Sequence, residues 1–448
     1  MNVRVLIGLA VGLAAGVACH PARAAAQPEP RTPIRHIVTL MQENHSFDNY
    51  FGTFPGADGL PPGTCMPVNP QKGPKPCIKP FRLGGKAVQD LGHTHSVFAT
   101  QYNGGKLDGF LRSGVLEGIG VQPNVMGHYD GRDLPFYWNI AKSYVLFDRF
   151  FTSAAAGSVQ NHMFWVTGRP GSAIDVIPHN GFGDIPTIFD RLERRGIPWK
   201  FYVQNYRPEI TYRSRGFGDS GAQPVWVPLL AYNRYIDNPR LFSHIVDLSE
   251  YFRDLRNGTL PAVSYIVPAG SSEHPPGNIH AGERYVRTLI NALQQSSAWS
   301  RSAFTWTYDD WGGWYDHVRP PQVDPYGYGF RAPALLVSPY ARKGYVDHTT
   351  LDFTSILRFI EDNWSLPPLA RRDARANSIS SAFDFSQTPR PPVFVPATVH
   401  PPSTYTRPHR YLYVVYGTAV ALAALGLAIA AVAAKRRRTR ELLAQEAG

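Results

Sequence analysis

Arg35-His36-Ile37-Val38-Thr39-Leu40-Met41 is an apolar, β-branched run that passes directly into Gln42-Glu43-Asn44-His45-Ser46. A short apolar run with polar residues crowded behind it predicts a buried strand that ends in a loop. Three more runs read the same way: Ala262-Val263-Ser264-Tyr265-Ile266-Val267, Ser302-Ala303-Phe304-Thr305-Trp306-Thr307-Tyr308 and Ala334-Leu335-Leu336-Val337-Ser338. Helical patterns lie between them. Tyr285, Leu289 and Leu293 share one face over Glu283 to Leu293, and Ile356, Leu357, Phe359 and Ile360 recur over Thr354 to Asn363. Alternating strands and helices predict an α/β sheet. No internal repeat is visible. The 40 Gly and 40 Pro among 448 residues predict long loops, where sites are carried.

The residues behind the strands carry the chemistry. After the first come Glu43, Asn44 and His45; after the second, Ser272-Glu273-His274-Pro275-Pro276; after the third, Asp309-Asp310-Trp311-Gly312-Gly313-Trp314-Tyr315-Asp316-His317. Ligands of open α/β sheets bind beyond the carboxyl ends of strands, so these segments are expected to converge. Glu43, Asn44, Asp309 and Asp310 form an oxygen-rich set suited to a hard divalent cation. The histidines suit a second metal, an anion or proton transfer. Gly312-Gly313 permits a tight turn or a close approach of backbone to ligand. Ser158 follows the small residues Ala154-Ala155-Ala156-Gly157 at a predicted helix start, where a hydroxyl serves either as a plain N-cap or among N–H groups that accept a phosphate. Trp165, Trp311 and Trp314 read as core packing or as walls of a pocket for a choline-like cation.

Composition limits the classes. With 43% hydrophobic and 12% aromatic residues the chain is not a disordered one. Three cysteines exclude a disulfide-dense scaffold and a four-cysteine zinc site. Cys65 and Cys77 flank a Pro/Gly-rich loop and are expected either to pair or to stay as thiols. The formal net charge of +11 suggests nucleic acid until it is located. Most of the excess lies at Arg4 and Arg23, at Arg390, Arg407 and Arg410, and in the tail after Ala434, so the central region is nearly balanced and no nucleic-acid partner is expected.

The two ends read as addresses. Residues 1–26 have a basic start, an apolar stretch and Ala22-Arg23-Ala24, the pattern of a signal peptide. Residues 411–434 carry no charge and run into Lys435-Arg436-Arg437-Arg438, which predicts a single membrane-spanning helix with a basic cytoplasmic tail at 435–448. The proline-rich stretch 389–410 reads as a stalk. The expected layout is therefore a catalytic domain at 27–388, outside the cytoplasm and anchored to the cell membrane by a C-terminal helix. Oligomeric state is not legible.

Ordered motifs add a resemblance. Glu43-Asn44-His45-Ser46-Phe47-Asp48-Asn49-Tyr50-Phe51-Gly52, Asp90-Leu91-Gly92-His93, Asn103-Gly104-Gly105-Lys106-Leu107-Asp108-Gly109-Phe110, Glu273-His274-Pro275-Pro276 and Tyr308-Asp309-Asp310-Trp311-Gly312-Gly313-Trp314-Tyr315-Asp316-His317-Val318 resemble the blocks of the phosphoesterase family that holds bacterial and plant phospholipases C and related acid phosphatases. The resemblance implies a three-layer α/β/α sandwich with an alkaline-phosphatase-like core. It implies metal-assisted hydrolysis of phosphate esters through a phosphorylated serine. By motif, Ser158 is the nucleophile. Glu43, Asn44, Asp309 and Asp310 are metal positions for a divalent ion of unknown identity. His93, His274 and His317 surround the phosphate, and Asn161 is a substrate-binding position. The expected substrate is a phospholipid at the outer cell surface; a soluble phosphomonoester and a non-catalytic surface module are the alternatives. Two departures stand out. Gln160 and His162 replace the family's Pro and Arg beside the nucleophile, and Asp310 replaces a Glu.

Overall fold

In the computed structural model, which describes residues 28–85, 88–214 and 219–397, each of the four apolar runs is a strand. They belong to an eight-stranded sheet made of β1 (His36–Gln42), β2 (Val145–Phe147), β3 (Trp199–Val203), β4 (Ile245–Asp247), β5 (Val263–Val267), β6 (Ser302–Tyr308), β7 (Ala334–Val337) and β8 (Tyr345–Asp347). The spatial order is β8-β2-β7-β6-β1-β5-β3-β4. β1 runs parallel to both β6 and β5, and β7 is antiparallel to β6 and β2, so the sheet is mixed. β1 lies at the centre, buried on both faces, which is why its sequence is nearly continuous in apolar residues.

Strand alternation sorts the packing. Thr39, Thr305 and Tyr265 share one face; there the Trp165 indole of helix α2 (Ser158–Thr167) donates to Thr39 Oγ1, and Tyr265 packs on Trp165. Leu40, Trp306 and Ile266 point the other way, where Tyr137 of helix α1 (Pro135–Ser143) packs on Trp306. Helix α3 (Ile279–Gln295) lines the α1 face, and α4 (Phe353–Trp364) packs beside α2 on the opposite one. The two helical patterns read from the sequence fall inside α3 and α4. Helices on both faces of one sheet make three layers.

One expectation of the fold is corrected. Among the described residues no helix is long and apolar enough to cross a membrane. The longest, α3, has 17 residues and carries Glu283, Arg284 and Arg287, so it is apolar on one face only. The expected span at 411–434, its basic tail, most of the stalk and the expected signal segment 1–26 lie outside the described residues. The chain through Val395 forms one unit and a second begins at Pro396. The first is still held at Arg390, which donates to the carbonyls of Ala341 and Ser143 and accepts at its own carbonyl from the Trp299 indole. Cys65 and Cys77 are joined in a disulfide.

Candidate active site

The site forms where β1, β5 and β6 end side by side. The register pairs Gln42 with Tyr308, so Glu43-Asn44 and Asp309-Asp310 leave the sheet together. Asp309 continues the face of Thr305 and Thr307, toward α2; Tyr308 faces the opposite layer. Asp309, Asp310, Glu43 and Asn44 are all buried. Asn44 holds a left-handed backbone, φ 66°, a conformation asparagine tolerates better than most residues. Gly312 is needed beside it: a Cβ there would lie 2.2 Å from the Asn44 carbonyl oxygen. The Trp314 indole donates to that same carbonyl at 3.1 Å. Gly312 thus lets the backbones behind β1 and β6 touch, and Gly313 lets the loop at Leu91–Gly92 approach.

His93 orients the Asn44 amide. Its Nδ1–H donates to the Leu91 carbonyl at 2.8 Å, so Nε2 carries the lone pair and accepts from Asn44 Nδ2 at 3.2 Å. Asn44 Oδ1 is left buried with no hydrogen-bond partner. His274 uses Nδ1–H on the Pro275 carbonyl at 2.7 Å, which leaves Nε2 for another task, and its ring lies edge-on to His93 with centroids 5.7 Å apart.

Ser158 opens α2 as its first helical residue; Gly157 before it supplies no capping side chain. The Ser158 hydroxyl is therefore not an N-cap but points at Asp310 Oδ2, a long contact of 3.5 Å. One turn on, His162 is fully buried, with Nε2 3.4 Å from Glu43 Oε1 and 3.8 Å from Asp309 Oδ2. These three residues offer ligand atoms within 4.8 Å of one another, a spacing that one cation could bridge. The residues present fit a cation: Asn44 Oδ1, both Asp309 oxygens and both His162 nitrogens have no hydrogen-bond partner despite burial. Burial and the neighbouring Asp309 charge hold the Glu43 and Asp310 carboxyls well above the usual carboxylate range. Burial also pushes the His162 imidazole down to about 4.

Around this centre the structure assigns several residues different work from that expected. Asn161, read as substrate-binding, uses its amide to hold the loop before Ser158. Oδ1 accepts from Ala154 N, and Nδ2 faces the carbonyls of Ala154, Ala156 and Gly157 at 2.9–3.4 Å, so both of its N–H groups are engaged by the backbone. His317 makes its contacts with Asp48, Asp58 and the buried Arg331 rather than with Ser158, Glu43, Asp309 or Asp310. Burial opposes its charge, but Asp48, 2.6 Å away, wins and raises its pKa. That network also ties Arg331 to Asp316 and fixes the segment behind Asp310. Trp165, Trp311 and Trp314 are fully buried and belong to the core.

Four contributions were not legible as functional. His162 stands four residues after Ser158, one face of a helix, and that spacing was the available signal. Gln160 N–H donates to Asp175 Oδ1 at 2.8 Å, a bond that the family's proline lacks the hydrogen to make. Asp175, with no sequence signal, thereby reaches the start of α2. Glu273 is fully buried beneath His274, where its carboxylate accepts from three phenols: Tyr50, Tyr137 at 2.5 Å and Tyr308 at 2.9 Å.

A model described as the Phosphoesterase family matches residues 34–367. Phospholipase C B of Mycobacterium tuberculosis is 29% identical over 428 residues, covering 81% of this chain and 80% of that protein. Non-specific phospholipase C1 of Arabidopsis thaliana is 27% identical over 413 residues, covering 80% and 72%. Non-hemolytic phospholipase C of Pseudomonas aeruginosa is 27% identical, covering 79% of this chain but 57% of that longer protein. A solved alkaline phosphatase superfamily protein from Vibrio parahaemolyticus superposes with a TM-score of 0.38 at 13% identity, covering 80% of this chain and 72% of that one.

Proposed function

Because this chain belongs to the Phosphoesterase family, it is a hydrolase of phosphate esters, and we propose that it cleaves phospholipids as a phospholipase C does. The observation that carries the reading is Ser158 at the head of α2, its hydroxyl directed at a buried set of carboxylates. The phospholipases C among its relatives support the substrate class.

The reaction divides among this chain's residues. Ser158 Oγ attacks phosphorus and gives its proton to Asp310 Oδ2, the acceptor it faces; the diacylglycerol oxygen leaves and needs one. His274 supplies it as an imidazolium, from Nε2, while Nδ1–H stays on the Pro275 carbonyl; His93 Nε2 is engaged with Asn44. Water then attacks the phosphoserine and returns a proton to His274 Nε2, Ser158 Oγ departs and takes its proton back from Asp310, and the head-group phosphate is released. Glu43, Asn44, Asp309 and Asp310 would hold a divalent cation, which when bound lowers the serine hydroxyl pKa and offsets charge on the phosphate oxygens. Asn161 keeps the 154–157 loop, and so Ser158, in place. The Cys65–Cys77 bond supports action outside the cytoplasm, where disulfides persist.

The test is a parallel assay of the purified chain on phosphatidylcholine and on an aryl phosphomonoester, with divalent ions varied. Diacylglycerol release is expected, together with loss of both activities in Ser158→Ala at an unchanged melting temperature. Turnover of the monoester alone would move the substrate to soluble phosphates. Full activity in Ser158→Ala would remove the nucleophile.

A further inference from the structure

We infer that His162 is itself a ligand of the cation and that it sets the choice of metal, making this a mixed nitrogen–oxygen site that prefers Zn²⁺ or its first-row neighbours to Ca²⁺ or Mg²⁺. The inference deepens the cation reading of the same site and rests on it.

Three observations carry it. His162 is fully buried, and neither ring nitrogen has a hydrogen-bond partner. Nε2 faces Glu43 Oε1 at 3.4 Å and Asp309 Oδ2 at 3.8 Å, separations too long for hydrogen bonds. Donors about 2.1 Å from a common ion stand about 3.4 Å apart at the tetrahedral angle, so the spacing suits ligands around one centre. The competing arrangement is an imidazolium paired with the acids. That would bury two bare N–H groups, Nδ1–H and Nε2–H, each without an acceptor at bonding distance, which is costly.

The sequence supplies the contrast. His162 stands where the resembling family carries arginine. A guanidinium cannot bind a cation, but an imidazole nitrogen can. The exchange therefore removes a phosphate-gripping fork and adds a nitrogen donor to an all-oxygen set. Oxygen-only sets suit Mg²⁺ and Ca²⁺, whereas imidazole favours zinc, copper, nickel and iron. α2 makes the exchange possible: Ser158 and His162 lie one turn apart, so one helix presents both nucleophile and ligand to the strand ends.

The experiment measures binding of Zn²⁺, Mn²⁺ and Ca²⁺ to the whole metal-free chain by calorimetry, for the wild type, His162→Ala and His162→Arg. The wild type is expected to bind Zn²⁺ at least about 100-fold more tightly than Ca²⁺. His162→Ala should weaken Zn²⁺ by about 30-fold or more and leave Ca²⁺ within about 3-fold. His162→Arg should weaken all three ions. Zn²⁺ affinity in His162→Ala that matches the wild type, or equal losses for Zn²⁺ and Ca²⁺, would overturn the inference. Should neither variant fold, pulsed EPR of Mn²⁺ bound to the wild type decides it. Coupling to a directly bound ¹⁴N that persists in His93→Ala and His274→Ala supports His162, and its absence rejects it. No readout depends on turnover, so a chain that binds Zn²⁺ through His162 yet cleaves no ester would defeat the functional reading alone.

Discussion

At the scale of single residues, a polar side chain beside a nucleophile is ambiguous until its hydrogen bonds are counted. Asn161 is a substrate-binding position by motif; in the structure both of its amide N–H groups are engaged by the Ala154–Gly157 backbone. Asn161→Ala would leave these buried groups unpaired, at about 1–3 kcal/mol each. The expected result is a lower melting temperature and at least a tenfold fall in kcat on an aryl phosphate, with KM changed less than about threefold. A rise in KM at constant kcat would instead make Asn161 a substrate contact. Glu43, Asn44, Asp309 and Asp310 were readable as candidates because they stand directly behind apolar strands, and Ser158 because small residues precede it at a helix start. His162 was not, since a substitution for arginine reads as a loss until its ring is seen among carboxylates.

At the scale of elements, parallel β1, β5 and β6 do the assembly, and Glu273 fastens it from beneath. Its three phenol partners come from the segment after β1, from α1 and from the last residue of β6. Burial pushes the Glu273 carboxyl up to about 7, from an ordinary 4.5, against the pull of the phenol hydrogen bonds. Between those values the folded chain keeps a proton that the unfolded chain has released, so this residue's contribution to stability declines as pH rises from about 4.5 to 7. Denaturant unfolding of the wild type should lose about 3 kcal/mol across that window relative to Glu273→Gln, which has no such proton. Parallel pH profiles for the two proteins would contradict this. The strands themselves were legible from apolar runs. The knot was not, because Tyr50, Tyr137, Glu273 and Tyr308 are far apart in sequence and no spacing tells that they meet.

At the scale of the whole molecule, the cation centre is a concentration of buried negative charge, and an ion should stabilise the fold that contains it. Zn²⁺ at about 100 times its dissociation constant should add about 2.7 kcal/mol to the unfolding free energy. Chelation should reverse the gain, and Asp309→Asn should reduce it; an identical melting temperature with and without the ion would exclude tight binding. The α/β sheet followed from alternating strands and helices and its three layers from the family resemblance, while the membrane-spanning helix expected from an uncharged run finds no counterpart among the described residues. The sheet also sets a rule about length. β6 sends Tyr308 to the phenol knot and Asp309 to the cation pocket only because neighbouring side chains leave a strand on opposite sides. Inserting or deleting one residue between Ser302 and Tyr308 would exchange the two, placing a phenol among the ligands and a carboxylate among the tyrosines. Substitutions along this strand change one side chain each, whereas a shift of one residue turns every side chain beyond it to the opposite face.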